Sequence, residues 1–347
     1  MNEAVTFCHV EAAEPIVHRW LARTPLYEYP TLSRSLGCGF WLKHENHQPL
    51  GAFKVRGGVN LIHSLTDDER QRGIIAVSTG NHGQSLAWAC ARMGVPCTIV
   101  VPAAGNADKK TAMRALGAKL IEHGRDFDEA KSFCEQLVSA PGLAAGDSAQ
   151  KHFAPGQAPR YVHSANEPKL IAGVGTYALE IFETLPALDV LIVPIGLGSG
   201  ICGAAIVAQQ LSPATRVIGV QAEGAPAVTM SWRSGTIVTT EKIGTSAEGI
   251  ATRGPATITL EIMRRLVHDI VLVSESEIEH AIRLLLATTH NLAEGAGAAS
   301  TAAALKIRSE LAGKRVVGVL SGGNLDVRTL PKILAGGDPI GDPGCVN

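Results

Sequence analysis

The feature that most constrains the fold is a pattern that recurs along the chain: a short β-branched run, a turn containing glycine, and then an apolar pattern at helical spacing. Such runs, apolar on both faces, are typical of strands buried in a parallel sheet with crossover helices. The sequence therefore predicts an α/β protein, and its 347 residues suggest about two domains. The runs are GIIAVSTGNHG (73–83), VPCTIVVPAAG (95–105), LDVLIVPIGLGSG (188–200), TRVIGVQAEG (215–224) and KRVVGVLSGG (314–323).

Two stretches show helix signals in detail. After STGNHG, the apolar residues Leu86, Ala89, Cys90 and Met93 fall on one helical face, and Gly94 is suited to end that helix. The other stretch, VSESEIEHAIRLLLATTH (273–290), predicts an amphipathic helix preceded by overlapping capping boxes. The paired residues are Ser274 with Glu277 and Ser276 with Glu279.

One stretch interrupts this pattern. Residues 139–168, SAPGLAAGDSAQKHFAPGQAPRYVHSANEP, are rich in Pro, Gly, Ala and Ser and follow neither the helical nor the strand period. We predict a long loop between two α/β units, with a domain boundary near it.

Bulk composition excludes several classes of function. The 31 Lys and Arg nearly balance the 32 Asp and Glu, so charge favours neither nucleic acid nor an anionic membrane as a partner. No apolar run is long enough for a transmembrane helix, and the N-terminus carries acids where a signal peptide carries bases. We therefore expect a cytoplasmic protein. Its seven scattered cysteines contain no C-x-x-C pair and are expected to be reduced and mostly buried.

The turn after the third run is the strongest candidate for an anion site. Gly196, Gly198 and Gly200 lie between a buried strand and an apolar helix, where converging N–H groups and the helix dipole favour a phosphate. Residues 198–203 also fit G-x-G-x-x-G, and Glu223 follows at the distance expected of a dinucleotide site. An NAD-type oxidoreductase is therefore an alternative, as is a tight packing turn without a ligand.

A dinucleotide-binding site would leave three further segments without a function. The turn STGNHGQ (78–84) could offer N–H groups to a carboxylate, and SGGN (321–324) places Ser321 at the carboxyl end of the last core strand, where doubly wound sheets bind ligands. In GAFKVRGG (51–58), Lys54 lies among small and apolar residues. Burial there would favour the neutral amine, which is how a lysine becomes a nucleophile or base.

Taken together and in this order, the motifs GAFKVRGG, STGNHGQ, GLGSG (196–200) and SGGN resemble those of the pyridoxal-phosphate (PLP) enzymes of the tryptophan-synthase-β fold, or fold type II. Within that fold the chain is most similar to the threonine/serine dehydratase (ammonia-lyase) and serine racemase family, from RTPL (23–26) to SGGNLDV (321–327). The resemblance implies two open, twisted, parallel-rich sheets with flanking helices and PLP in the cleft between domains. It also implies a large domain of residues 1–68 and 155–347 and a small mobile domain of residues 69–154.

The resemblance assigns a role to each motif. Lys54 would form the Schiff base with PLP and act as the general base, Asn81 would hydrogen-bond the 3-hydroxyl group, and Ser321 would face the pyridine nitrogen. Phe53 and Glu294 would support the cofactor, and Arg56 would brace the lysine loop. The phosphate would be held by Gly196, Leu197, Gly198, Ser199 and Gly200. The substrate carboxylate would be held by Ser78, Thr79, Gly80, Asn81 and His82.

The implied reaction is the conversion of a 3-hydroxy amino acid (threonine, serine or a bulkier analogue) to a 2-oxo acid and ammonia by α,β-elimination. A hydroxyl at Ser321, unlike a carboxylate, does not keep the pyridine nitrogen protonated, which favours elimination. An amino-acid racemase is the alternative within PLP chemistry, with Thr79 as a second catalytic base. The other interpretation of Thr79 is a turn hydroxyl that accepts a backbone N–H.

The chain departs from the family in two further respects. Ala52 stands where many relatives carry Ser or His, which is expected to widen the substrate pocket. Glu223 matches a glutamate that binds a divalent cation in some relatives, but no aspartate follows at the matching spacing, so no metal is predicted. The family also leads us to expect a homodimer.

Overall fold

The structure, a computed structural model, describes residues 5–104, 107–139, 153, 158–337 and 339. The strands are β1 (Leu26–Glu28), β2 (Gly39–His44), β3 (Ile74–Val77), β4 (Cys97–Val101), β5 (Lys119–Glu122), β6 (Arg160–Val162), β7 (Val190–Pro194), β8 (Arg216–Ala222), β9 (Asp269–Val273) and β10 (Arg315–Leu320).

The helices alternate with these strands along most of the chain. They are α1 (Phe7–His18), α2 (Pro30–Leu36), α3 (Lys54–His63), α4 (Asp67–Arg72), α5 (Asn81–Met93), α6 (Ala107–Ala115), α7 (Phe127–Ser139), α8 (Pro168–Thr184), α9 (Ser199–Leu211), α10 (Ala227–Ser234), α11 (Thr257–Leu266), α12 (Glu275–Thr289), α13 (Gly295–Lys306), α14 (Arg308–Leu311) and α15 (Leu330–Leu334). Short 3-10 helices cover Glu45–His47, Glu248–Ile250 and Val327–Thr329.

The strands form two sheets. The six-stranded sheet has the order β1-β2-β10-β7-β8-β9, in which only β1 is antiparallel to its neighbour. The four-stranded sheet, of order β5-β4-β3-β6, is entirely parallel. All five predicted runs are parallel strands, namely β3, β4, β7, β8 and β10, and the predicted α/β class with two parallel-rich sheets is confirmed.

Helices cover both faces of the six-stranded sheet. Apolar side chains of α1, α8, α9 and α11 fill one face, and those of α2, α12 and α13 fill the other. Helices α8 and α9 approach very closely at Gly175 and Gly203, where a Cβ on Gly203 would lie 2.7 Å from the Cα of Gly175. The close packing of these two helices therefore accounts for Gly203, the last glycine of the 198–203 motif.

The helix ends agree with the sequence in part. Helix α5 ends at Gly94, whose φ of 68° is left-handed, as predicted. At α12 the Ser274 and Glu277 box is present, but the second box, Ser276 with Glu279, is wrong. Because the helix already begins at Glu275, Ser276 lies inside its first turn, and its hydroxyl lies 3.0 Å from that of Ser274.

The predicted loop at 139–168 lies largely outside the described residues, but one part of it is wrong. Residues Arg160–Val162 form β6, which pairs with β3 at the edge of the four-stranded sheet. The predicted small domain, 69–154, contains the other three strands of that sheet, and the domain division stays a prediction.

Two predictions from composition concern features spread over the whole chain. Of the described cysteines, only Cys8 is exposed and the others are buried free thiols; Cys345 lies outside the described residues. Across the part of the chain that the structure describes, no helix is both long and apolar enough to cross a bilayer.

Candidate active site

Lys54 is the first residue of α3 and lies at the meeting point of the predicted site. Its Nζ donates to Ser199 Oγ at 3.1 Å and lies 5.1 Å from the centre of the Phe53 ring. Burial lowers the pKa of Lys54 to about 8, because the ammonium form is poorly solvated there. No carboxylate within the described ranges forms an ion pair with this amine, so nothing offsets that effect.

The lysine loop is held against the turn after β10. Ala52 forms a bridge with Gly322, Phe53 N donates to Ser321 O at 3.1 Å, and Gly323 N donates to Gly51 O at 2.9 Å. Ala52 is buried, and a Cβ on Gly322 would lie 3.3 Å from the Ala52 Cβ. These contacts hold the turn that carries Ser321 against the loop that carries Lys54, and they place Ala52 in close packing against that turn.

Arg56 anchors the first turn of α3 to neighbouring segments of the chain. Its guanidinium is fully buried and forms forked hydrogen bonds with Glu45 at 2.8 and 2.9 Å and with Glu180 at 2.6 and 3.0 Å. Lys43 also donates to Glu180, so two cations balance two carboxylates. Burial alone would lower the pKa of Arg56, but the two carboxylates raise it. Arg56 therefore stays charged and ties α3 to α8.

The glycine turn leads into the N-terminus of α9. Gly198 has a φ of 99°, which favours glycine. A Cβ on Gly196 would overlap the carbonyl oxygen of Gly249, and one on Gly200 would lie 3.1 Å from Phe53. Thr259, which sequence analysis did not identify, donates from Oγ1 to Leu197 O at 2.5 Å and holds the turn. The N-terminus of a helix suits a phosphate group, because its first N–H groups have no acceptor within the helix and its dipole favours an anion.

In the STGNHG turn, the two hydroxyls have different surroundings. Ser78 is buried, and its Oγ accepts from Gly80 N at 3.2 Å and Gly83 N at 2.8 Å, capping α5. Thr79 is exposed. The turn hydroxyl that accepts backbone N–H groups is thus that of Ser78 rather than that of Thr79, because the Ser78 side chain is directed toward the N-terminus of α5.

Asn81 joins α5 to elements of the six-stranded sheet. Its Nδ2 donates to Glu294 Oε1 at 2.8 Å, and its Oδ1 accepts from Asn324 Nδ2 at 2.9 Å. Burial raises the pKa of Glu294, while Lys109 and the Asn81 hydrogen bond act in the opposite direction. A Cβ on Gly322 would lie 2.5 Å from Glu294 Oε1, so this carboxyl lies directly beside the SGGN turn.

His82, the second residue of α5, has a buried ring. Its Nε2 finds no hydrogen-bond partner among the residues that the structure describes. Burial lowers the pKa of His82 to about 3, and the positive charges of Lys54 and His163 act in the same direction. A neutral, buried, unsatisfied nitrogen next to the lysine fits a ligand that hydrogen-bonds there.

Glu223, which matches a metal ligand of some relatives, lies in an ion pair. Glu223 pairs with Lys306 at 3.2 Å, and the described residues contain no group of three or more His, Cys, Asp or Glu side chains able to hold a metal ion. His44 and His47 stack with ring centres 4.8 Å apart at a polar turn.

Most of the predicted cofactor residues therefore meet at one place. That place is surrounded by the Lys54 amine with its lowered pKa, the glycine turn at the N-terminus of α9, the Asn81 amide and the turn that carries the neutral Ser321 hydroxyl. These groups fit pyridoxal phosphate, whose phosphate, aldehyde, ring oxygen and ring nitrogen need those partners. Thr79 lies at the exposed edge of this arrangement.

Comparisons with known proteins agree with this geometry. Residues 17–322 match the family described as pyridoxal-phosphate dependent enzyme. An L-threonine ammonia-lyase of Thermotoga maritima is 38% identical over 330 residues, which cover 95% of this chain and 78% of that protein. The processed form of threonine deaminase isoform 2 from Solanum lycopersicum superposes with a TM-score of 0.86, at 29% identity and 96% coverage of both chains. Maize serine racemase also gives a TM-score of 0.86, at 27% identity, covering 96% of this chain and 98% of the other.

Proposed function

This chain belongs to the family of pyridoxal-phosphate-dependent enzymes, and on that premise we propose that it is an ammonia-lyase acting on a 3-hydroxy amino acid. It would eliminate water across Cα and Cβ, and hydrolysis of the resulting 2-imino acid would take up a water molecule and release a 2-oxo acid and ammonia. The substrate is threonine, serine or a bulkier β-hydroxy analogue. The observation that carries the proposal is the partly buried Lys54 amine, 3.1 Å from Ser199 in the glycine turn at the start of α9. With a PLP family match, the dinucleotide alternative has no remaining support.

Bound PLP supplies the electron sink that makes the α-proton of an amino acid removable. The chain provides the proton acceptor, because Lys54 with a pKa of about 8 is partly neutral near neutral pH. The same amine would hold the cofactor covalently between turnovers. With a substrate amino acid bound, the Lys54 amine would accept the proton from Cα.

The surrounding residues orient rather than react. The N–H groups of Asn81 and His82, at the N-terminus of α5, would bind the substrate carboxylate, since Gly80 N already donates to Ser78. Residues 196–200 would bind the phosphate, and Thr259 holds their backbone. Ser321, a neutral hydroxyl, would accept or donate at the ring nitrogen without fixing a proton there, which supports elimination.

Racemisation is a second candidate, favoured by the likeness to maize serine racemase. A racemase needs a second base on the face of Cα opposite Lys54, and Thr79 holds the matching position. Thr79 is exposed and lies one residue after the buried Ser78. An alcohol is a weak proton acceptor unless a base assists it, so we propose elimination as the main activity.

The test uses the PLP-loaded protein and enantiopure L-threonine and L-serine. We expect 2-oxo acid and ammonia in equal amounts and little of the opposite enantiomer. Lys54→Ala should lose turnover and the absorbance of covalently bound PLP, whereas Lys119→Ala, an exposed lysine on β5, should keep both. Formation of the D-amino acid without 2-oxo acid would establish the racemase instead, and a fully active Lys54→Ala would overturn both.

We also propose that the enzyme is a cytoplasmic homodimer whose small-molecule substrate reaches a cleft between residues 69–154 and the rest of the chain. Light scattering after gel filtration tests the oligomeric state. A monomer at micromolar concentration would contradict the dimer without affecting the proposed reaction.

A further inference from the structure

Asn324, the last residue of the SGGN turn, uses both hydrogens of its side-chain amide. Its Nδ2 donates to the backbone carbonyl of Leu50 at 2.8 Å and to Asn81 Oδ1 at 2.9 Å. Gly51 makes room for this side chain, because a Cβ at residue 51 would lie 2.5 Å from Asn324 Oδ1. One amide thus contacts the lysine loop and the N-terminus of α5 together.

The Leu50 contact fixes which atom of each amide is nitrogen. A backbone carbonyl can only accept, so the atom of Asn324 that faces Leu50 must be Nδ2. The atom of Asn81 that faces the same nitrogen must then be its oxygen. The Asn81 nitrogen is therefore directed to Glu294 Oε1, at 2.8 Å, which accepts in either protonation state. The orientation of Asn81 follows from this chain of contacts alone.

Once Asn81 is oriented in this way, its nitrogen retains one N–H. Glu294 occupies one hydrogen of Nδ2, and Asn324 covers the oxygen. Asn324 belongs to the SGGN turn and Glu294 lies beside it, and this turn contacts the lysine loop through Ser321 and Phe53. The amide therefore presents a donor to the site. Rotation by a half-turn would place two nitrogens against each other and an oxygen against a carboxyl.

We propose that Asn324 is a positioning residue that makes Asn81 a hydrogen-bond donor to the ring oxygen of bound pyridoxal phosphate. This inference rests on the proposed function, since it needs the cofactor at this site. A donor stabilises an ionised oxygen over a protonated one. Asn324 would thus set where the ring-oxygen proton lies without touching the cofactor, and would couple that setting to the position of the lysine loop.

The experiment compares the absorbance of the PLP-loaded wild type, Asn324→Asp and Asn324→Ala. Bound PLP absorbs in the visible when its ring oxygen is ionised and in the near ultraviolet when that oxygen holds the proton. Both variants remove the donor that fixes Asn81, and the Asp variant keeps the shape of the side chain. We expect the ratio of visible to near-ultraviolet absorbance to fall on the order of tenfold, the effect of one hydrogen bond to a charged atom.

Asn291→Ala is the matched control. Asn291 is also partly buried near α13, but its side chain contacts His47 and Asn46. We expect this variant to keep the wild-type absorbance ratio.

The outcomes separate this inference from the proposed function. If the wild type acquires no PLP absorbance, both are overturned. If the wild type binds PLP and releases 2-oxo acid but both Asn324 variants keep the wild-type ratio, the positioning role alone is overturned. If Asn324 had a purely structural role, its variants would bind PLP more weakly and unfold at lower temperature, but the ratio of visible to near-ultraviolet absorbance would not change. That result would also overturn the positioning role.

Discussion

At the scale of single residues, the chemistry depends on how readily Lys54 loses its proton. Its amine faces Ser199 and the Phe53 ring, and His82 nearby is neutral because its own pKa is lowered. The lysine pKa is lowered from 10.5 to about 8, so the neutral amine should appear as the pH rises through about 8.

This predicts a specific pH profile for the protein without PLP. The rate at which a small neutral acylating reagent modifies Lys54, followed by peptide mass spectrometry, should rise and level off just above pH 8, because only the neutral amine reacts. Exposed lysines such as Lys119 serve as the internal reference. A Lys54 profile that still climbs in parallel with that reference near pH 10 would contradict the lowered pKa.

Arg56 supports a second prediction at this scale. Arg56→Met would leave the carboxylates of Glu45 and Glu180 in the interior without their guanidinium, and should lower the free energy of unfolding by about 3–5 kcal/mol. Arg56→Lys keeps one charge but cannot bind both carboxylates in forked geometry, so its loss should be intermediate. Urea unfolding measures both, with Arg328→Met, which removes an exposed ion pair, as the control. Equal losses for Arg56→Met and Arg328→Met would refute the buried network.

At the scale of elements, the N-terminus of α5 depends on one hydroxyl. Ser78→Ala would leave Gly80 N and Gly83 N without their acceptor and should cost about 1 kcal/mol of stability, as the loss of a helix cap does. Thr79→Ala, one residue later and exposed, should change stability much less. Thermal unfolding of the two variants gives the comparison, and a larger loss for Thr79→Ala would reverse our assignment of the cap.

Local sequence pattern identified some elements and not others for physical reasons. Strands β3, β4, β7, β8 and β10 are apolar because both their faces are buried in a parallel sheet, so the pattern is sufficient. Strand β2 instead buries Lys43, which is paired with Glu180 of α8 far along the chain, and no local period reveals that. Strand β6 has three residues in a Pro- and Gly-rich stretch, too few to show alternation.

The same limit applies to the site. Four parts of the candidate site could be proposed from the sequence, because each lies at a strand or helix end with a distinctive composition: Lys54, the glycine turn, Asn81 and Ser321. Thr259 and Asn324 act through hydrogen bonds to Leu197 and Leu50, which are 62 and 274 residues away. Such contacts depend on how distant segments meet, so only the structure identifies them.

At the scale of the whole molecule, ion pairs connect the helices around the four-stranded sheet with segments of the rest of the chain. Lys109 of α6 pairs with Glu248, and Arg253 pairs with Asp128 of α7 at 2.5 Å. Glu248 begins a 3-10 helix whose next residue, Gly249, contacts the glycine turn at Gly196. If residues 69–154 move as a unit, as predicted, these pairs would hold that unit against the rest of the chain and so favour closure over a bound substrate.

Glu248→Gln should therefore loosen closure without altering the chemical groups. We expect KM for the amino acid to rise by up to about fivefold, the effect of losing one largely exposed ion pair, with kcat changed less. The dependence of KM on salt should also become weaker, because salt screens the pair that the variant lacks. Glu122→Gln is the control, since among the described residues Glu122 of β5 pairs with Lys110 and Arg114 of α6, all within 69–154. Steady-state kinetics at low and high salt decide the matter: if the two variants change KM alike, the Lys109–Glu248 pair has no role in closure.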